Sequence, residues 1–124
     1  MSKKILIVED EDSIRMLLST IFGNLEGYII ICARDGEEGL RLARSSNPDV
    51  ILLDNRLPGI SGFDVCSSVK LDPATSHAKV LMLSCQGQNF DWQRAREMGA
   101  DGYITKPFSS TALVEKVEEL AGNN

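Results

Sequence analysis

Short apolar runs alternate with amphipathic stretches along the chain. Lys4–Val8 reads as a first strand. A helix is expected after Asp12, whose carboxylate suits an N-cap because it can accept from free first-turn amides. Its apolar face is Ile14, Leu17, Leu18, Ile21, Phe22 and Leu25, a 3.6-residue repeat. Tyr28–Cys32 is the second strand. Asp35-Gly36-Glu37-Glu38 has capping-box spacing and opens a helix running through Leu40 and Ala43. Asn47-Pro48 breaks the chain before a third strand, Asp49–Leu53. The third helix starts near Ser61, with Asp64 at its third position, and buries Val65, Cys66 and Val69. The turn signal Asp72-Pro73 lies in a polar loop, Leu71–Ala78. Strand four is Lys79–Leu83. Helix four is capped near Asn89 and stopped by Gly99. Strand five is Gly102–Thr105, and a last helix follows Ser109 or Ser110, burying Leu113, Val114, Val117 and Leu120.

Five strands alternating with five helices imply an α/β domain, with an open, mostly parallel sheet covered on both faces. Strands three and four are nearly all apolar, as burial on both faces requires. The 124 residues suit one domain, 1–124, with a core large enough to fold unaided. No apolar stretch approaches the roughly 20 residues that span a bilayer. The run after Met1-Ser2-Lys3-Lys4 ends at Glu9-Asp10, so it forms no signal sequence. A net charge of −5 argues against a nucleic-acid surface on this chain. Cys32, Cys66 and Cys85 are odd in number and widely spaced, and read as reduced core residues of a cytoplasmic protein.

In such sheets ligands bind beyond the carboxyl ends of the strands. Glu9 and Asp10 follow strand one, Asp54 strand three, Ser84 strand four and Lys106 strand five. Three crowded carboxylates repel one another and call for a cation. A hard oxygen site with room for water suits Mg²⁺. A carboxylate can also act as a nucleophile and form an aspartyl phosphate. Metal and lysine would then neutralise the phosphoryl oxygens, and a hydroxyl would hydrogen-bond one of them. Each residue also has a plainer reading. The acidic run favours a helix start; Asp54 could cap a turn; Lys106 could be a solvated lysine. Their convergence from four strands favours the chemical reading.

With Glu9-Asp10, the segments Asp54-Asn55-Arg56-Leu57-Pro58-Gly59-Ile60-Ser61-Gly62, Ser84 and Gly99-Ala100-Asp101-Gly102-Tyr103-Ile104-Thr105-Lys106-Pro107-Phe108 carry a resemblance. From Lys3 to Leu120 the chain resembles the receiver domain of bacterial two-component response regulators, of the single-domain chemotaxis type. The resemblance implies a flavodoxin-like, doubly wound parallel sheet of order 2-1-3-4-5. It implies Asp54 as phosphoacceptor, Asp10 and Asp54 as direct Mg²⁺ ligands with the Arg56 carbonyl, and Glu9 acting through a water. Lys106 would pair with the phosphoryl group, and the Lys106-Pro107 peptide would be cis. Ser84 and Tyr103 would form a switch that reshapes the surface of helix four, strand five and helix five. A histidine kinase or histidine phosphotransfer protein would be the donor. A target protein or output domain would be the recipient. A second copy of the chain, docking on phosphorylation through that surface, is a further implied partner; no nucleic acid or membrane contact is implied.

Three departures from the family pattern stand out: Glu9 where many relatives carry aspartate, Arg56 beside the route of a hydrolytic water, and Cys85 after Ser84. Tyr103 is open between a switch residue and a strand aromatic with its hydroxyl in water. His77 reads as a solvated loop residue. Of Phe90 and Trp92, one is expected in the core and the other partly exposed. The rival readings are a Mg²⁺-dependent phosphatase with an aspartate nucleophile, a nucleotide or flavin binder, and a receiver that binds partners without phosphorylation. The phosphatase lacks a general acid, since Arg56 stands where one is needed. No phosphate-binding glycine loop follows strand one. The complete set of acids, hydroxyl and lysine counts against the unphosphorylated receiver.

Overall fold

The computed structural model describes residues 2–85 and 91–122. Five parallel strands, β1 (Lys3–Val8), β2 (Tyr28–Ala33), β3 (Val50–Asp54), β4 (Lys79–Cys85) and β5 (Gly102–Lys106), form one sheet in the order β2-β1-β3-β4-β5. Between and after them run α1 (Asp12–Gly23), α2 (Gly36–Ser46), α3 (Gly62–Leu71), α4 (Trp92–Glu97) and α5 (Ser110–Ala121). The fold is the flavodoxin-like one implied by the resemblance.

Alternation along the strands builds two cores, because successive side chains point to opposite faces. Leu6, Val8, Ile51, Leu53, Val80 and Met82 face one way and pack with Ala43, Val65, Val69 and Ala95. Ile5, Ile7, Val50, Leu52, Leu81 and Leu83 face the other and meet Leu18 and Phe22 of α1 and Leu113 and Val117 of α5. Each fully buried side chain of this size stabilises the fold by about 1.5–3 kcal/mol.

Local signals start the helices as expected at Asp35, Ser61 and Ser109, whose side chains accept from the amides of Glu38, Asp64 and Ala112. Glu38 returns a bond to the Arg34 amide, one residue before the cap. Two starts differ. Asp12 is the first residue of α1 and not its cap; the N-cap is Glu11, which makes no side-chain bond. In the first turn the Asp12 carboxylate instead pairs with Arg15, three residues on. Helix α4 is capped by Asp91, which accepts from the Arg94 amide, while Asn89 lies outside the described residues. Gly99 ends that helix with φ +101°, a left-handed conformation that other residues rarely adopt.

Three expectations about burial are corrected. Leu17 is 47% exposed, because it sits on the flank of the stripe that Ile14, Leu18, Ile21 and Phe22 turn toward the sheet. Leu25 is exposed because α1 stops at Gly23 and the chain leaves the helical path. Cys32 is exposed, not core, since β2 is an edge strand; its Sγ lies 3.1 Å from Ser19 Oγ. Cys66 is buried, and burial pushes its thiol up to about 11. His77 is exposed and Trp92 half-buried; Phe90 and the Cys85 side chain lie outside the description. No helix among the described residues is long and apolar enough to cross a membrane.

Candidate functional site

Parallel pairing runs one or two residues past the expected strand ends, so Asp54 and Lys106 are the last residues of β3 and β5. Asp54 pairs with Leu83, and Ser84 with Thr105, in adjacent register. The strand ends therefore deliver the expected side chains to one rim. Behind them, Gly62 lets α3 start against the backbone of Asp54: a Cβ there would lie 2.5 Å from the Asp54 carbonyl oxygen.

Glu9 is fully buried, and Asp54 is 4% exposed. Lys106 Nζ donates to Glu9 Oε1 at 2.8 Å and lies 3.5 Å from Asp54 Oδ2. The other oxygens are held by the main chain. The Arg56 amide donates to Asp54 Oδ1 at 3.0 Å, and the Glu11 amide to Glu9 Oε2 at 3.1 Å. Asp10 is exposed, yet one oxygen from each of Glu9, Asp10 and Asp54 lies within 4.8 Å of the others. Burial pushes the Glu9 carboxyl up to about 7; Lys106 opposes the rise, and the neighbouring Asp54 adds to it.

The three carboxylates and the one ammonium between Glu9 and Asp54 carry, when all are ionised, two unbalanced negative charges (3 − 1 = 2). A divalent ion would cancel them. The donors are all oxygen, and Asp10 opens to solvent, so water can complete a six-coordinate shell. These residues fit Mg²⁺ well.

Ser84 is buried beside the rim, its Oγ 3.5 Å from Thr105 Oγ1, the outer limit of a hydrogen bond. Tyr103 is 41% exposed, its ring 4.9 Å from the ring of Trp92 and tilted by 40°. The Arg56 side chain is exposed. The Lys106-Pro107 peptide is cis. Sequence reasoning gave no role to Thr105 or Arg15. Strand register alone brings Thr105 to Ser84, and Arg15 reaches the rim through backbone carbonyls, for which no spacing rule exists.

The family described as response regulator receiver domain matches residues 5–118. The alkaline phosphatase synthesis transcriptional regulatory protein PhoP of Bacillus subtilis is 42% identical over 97% of this chain and 49% of its own length. The chain spans about half the length of the curated relatives it matches. Among solved structures, chemotaxis response regulator CheY4 of Vibrio cholerae superposes with a TM-score of 0.89 at 29% identity, covering 97% of this chain and 99% of that one. The signal receiver domain of a signal transduction histidine kinase from Syntrophus aciditrophicus gives 0.88 at 31% identity, covering 98% and 92%. Phosphorylation and Mg²⁺ binding at an acidic site are general features of such domains. The chain belongs to the response regulator receiver domain family.

Proposed function

We propose that residues 1–124 act as a single receiver whose Asp54 accepts a phosphoryl group from a histidine kinase or histidine phosphotransfer protein. One observation carries this reading. Lys106 Nζ spans the buried carboxylates of Glu9 and Asp54, leaving the rim two charges short of neutrality. In the transfer, an Asp54 carboxylate oxygen forms a bond to phosphorus while the phosphohistidine P–N bond breaks and imidazole leaves. The Arg56 amide on Oδ1 orients the carboxylate, and Oδ2 faces Lys106. Lys106 pairs with the incoming phosphoryl oxygens as its link to Asp54 is replaced. Asp10, Asp54 and the Arg56 carbonyl would hold Mg²⁺ directly, and Glu9 would hold it through a water. The ion would neutralise charge on the transferring group. Support for the metal comes also from a sensor-kinase receiver of the same fold from Pseudomonas aeruginosa, described with magnesium in its active-site cleft.

Ser84, only weakly held by Thr105, turns toward the phosphoryl group, and Tyr103 leaves Trp92 to fill the space behind it. The changed surface of α4, β5 and α5 then engages a target protein, an output domain or a second copy of the chain. We place the domain in the cytoplasm, without direct nucleic-acid or membrane contact. It is no true enzyme, with at most slow hydrolysis of its own phosphoryl group. Arg56, whose side chain is exposed, would stand beside the hydrolytic route and shield the phosphoryl group or hold its charge.

Intact-mass measurement tests the proposal. An acyl phosphate with Mg²⁺ is expected to add one phosphoryl group to the wild type and none to Asp54→Ala. A wild type left unmodified by acyl phosphate, metal and a phosphorylated kinase would overturn it. Turnover of a free phosphomonoester would favour the phosphatase instead.

A further inference from the structure

One cation near the rim takes no part in the proposed transfer. Arg15 lies one turn into α1, and its side chain is only 14% exposed. Its Nη1 donates to the carbonyl oxygen of Glu9 at 2.9 Å and reaches that of Asp10 at 3.5 Å. Its Nη2 pairs with the Asp12 carboxylate. Among the described residues it forms no ion pair with Glu9 or Asp10, although both lie in the same turn.

The turn needs such a tie. Glu11 occupies the N-cap of α1 without a side-chain bond, so the usual link between a cap and its helix is missing. The guanidinium replaces that link from inside the helix. Its fork grips two carbonyls and one carboxylate, which a single ammonium cannot do with the same geometry. Asp12 occupies the Arg15 charge, so the carboxylates of Glu9 and Asp10 stay available to a cation.

We infer that Arg15 is a positioning residue for the cation site: it fixes the β1–α1 turn so that the Asp10 carboxylate faces the buried oxygens of Glu9 and Asp54. The inference rests on the Mg²⁺ reading given above. It also differs in sign from a purely electrostatic role. Removing a positive charge beside three carboxylates would, through charge alone, tighten Mg²⁺ binding. Loosening the turn weakens it. Outer partners that orient metal ligands are typically worth 10–100-fold in affinity.

Calorimetric titration of the metal-free full chain with Mg²⁺ alone separates the two. Arg15→Ala is expected to raise the Kd about 10-fold or more. Arg15→Lys, which keeps the charge and loses the fork, is expected to raise it less. Asp12→Asn, which frees the guanidinium, should weaken binding slightly. In metal-free Arg15→Ala the Glu11 amide, held on Glu9 Oε2, should exchange its hydrogen faster than in the wild type. Circular dichroism checks folding, and Arg15→Lys carries the test if the alanine variant fails to fold. An unchanged or tighter Kd in Arg15→Ala, or a wild-type Kd in Arg15→Lys, overturns the inference. A wild type that binds no Mg²⁺ overturns the metal reading beneath it, a distinct outcome.

Discussion

Two lysine–carboxylate clusters lie at opposite ends of the sheet, and they are built on different balances. At the amino end of β4, Lys70 Nζ bonds the Ala78 carbonyl at 2.7 Å and Asp101 Oδ2 at 2.9 Å. The same Asp101 oxygen accepts from the Val80 amide at 2.8 Å. One acid meets one base, and the main chain fills the remaining sites, so this cluster ties α3 and the α4–β5 turn to the sheet. At the carboxyl end, Lys106 bridges two acids, Glu9 and Asp54, and a third, Asp10, lies beside them. That cluster is incomplete on its own; burial pushes Glu9 toward protonation, and the neighbouring Asp54 adds to the push. Ion pairing by itself therefore does not mark a site. An excess of one sign, held in place by buried backbone bonds, does.

The sharpest way to break this contrast is to remove one acid from each end. Asp101→Ala leaves the Val80 amide without its acceptor and Lys70 with the Ala78 carbonyl but no counter-charge. It is expected to lower the free energy of urea unfolding by about 1–3 kcal/mol while Asp54 still accepts a phosphoryl group. Asp54→Asn removes a surplus charge and should raise the urea midpoint of the metal-free protein above pH 7. If both variants lose stability, the carboxyl-end cluster is an ordinary staple.

A smaller effect concerns pH. In metal-free protein the folded Glu9 carboxyl titrates near 7, above its ordinary 4.5. Between those values the folded state binds more protons than the unfolded state. Stability from this group is thus present at low pH and is lost as pH rises through about 7. Urea midpoints measured in chelator from pH 4.5 to 7.5 should fall less steeply in Glu9→Gln. Identical slopes would show that burial does not raise the Glu9 carboxyl in the folded state.

The smallest expected signal lies on β5, which joins the two ends by running from Gly102, after Asp101, to Lys106. The chain has one tryptophan, and its ring rests on Tyr103. Phosphorylation with Mg²⁺ should shift Trp92 emission as Tyr103 leaves, and Tyr103→Ala should abolish the shift. An equal shift in Tyr103→Ala would mean that Trp92 reports another movement.

Much of the fold is legible in the sequence. Alternation within the strands follows from a two-residue period, and both faces of β3 and β4 are apolar in the sequence as in the fold. Caps at Asp35, Ser61 and Ser109 are local bonds over three residues and read directly. Two of the failures share a cause. Leu17 and Cys32 are apolar or soft residues in regular elements, and nothing local says that one lies on a helix flank and the other on a sheet edge.

The site divides along the same line. Residue order alone determined that acids, a hydroxyl and a lysine would end four strands, because strand ends are set by short-range apolar pattern. Only tertiary structure decided their inequality: Glu9 buried, Asp10 open, Asp54 held by the Arg56 amide, Tyr103 turned out onto Trp92. It also decided that Arg15 grips carbonyls and not carboxylates. Burial and charge balance arise from groups distant in sequence meeting in space, and no local period encodes which of them will meet.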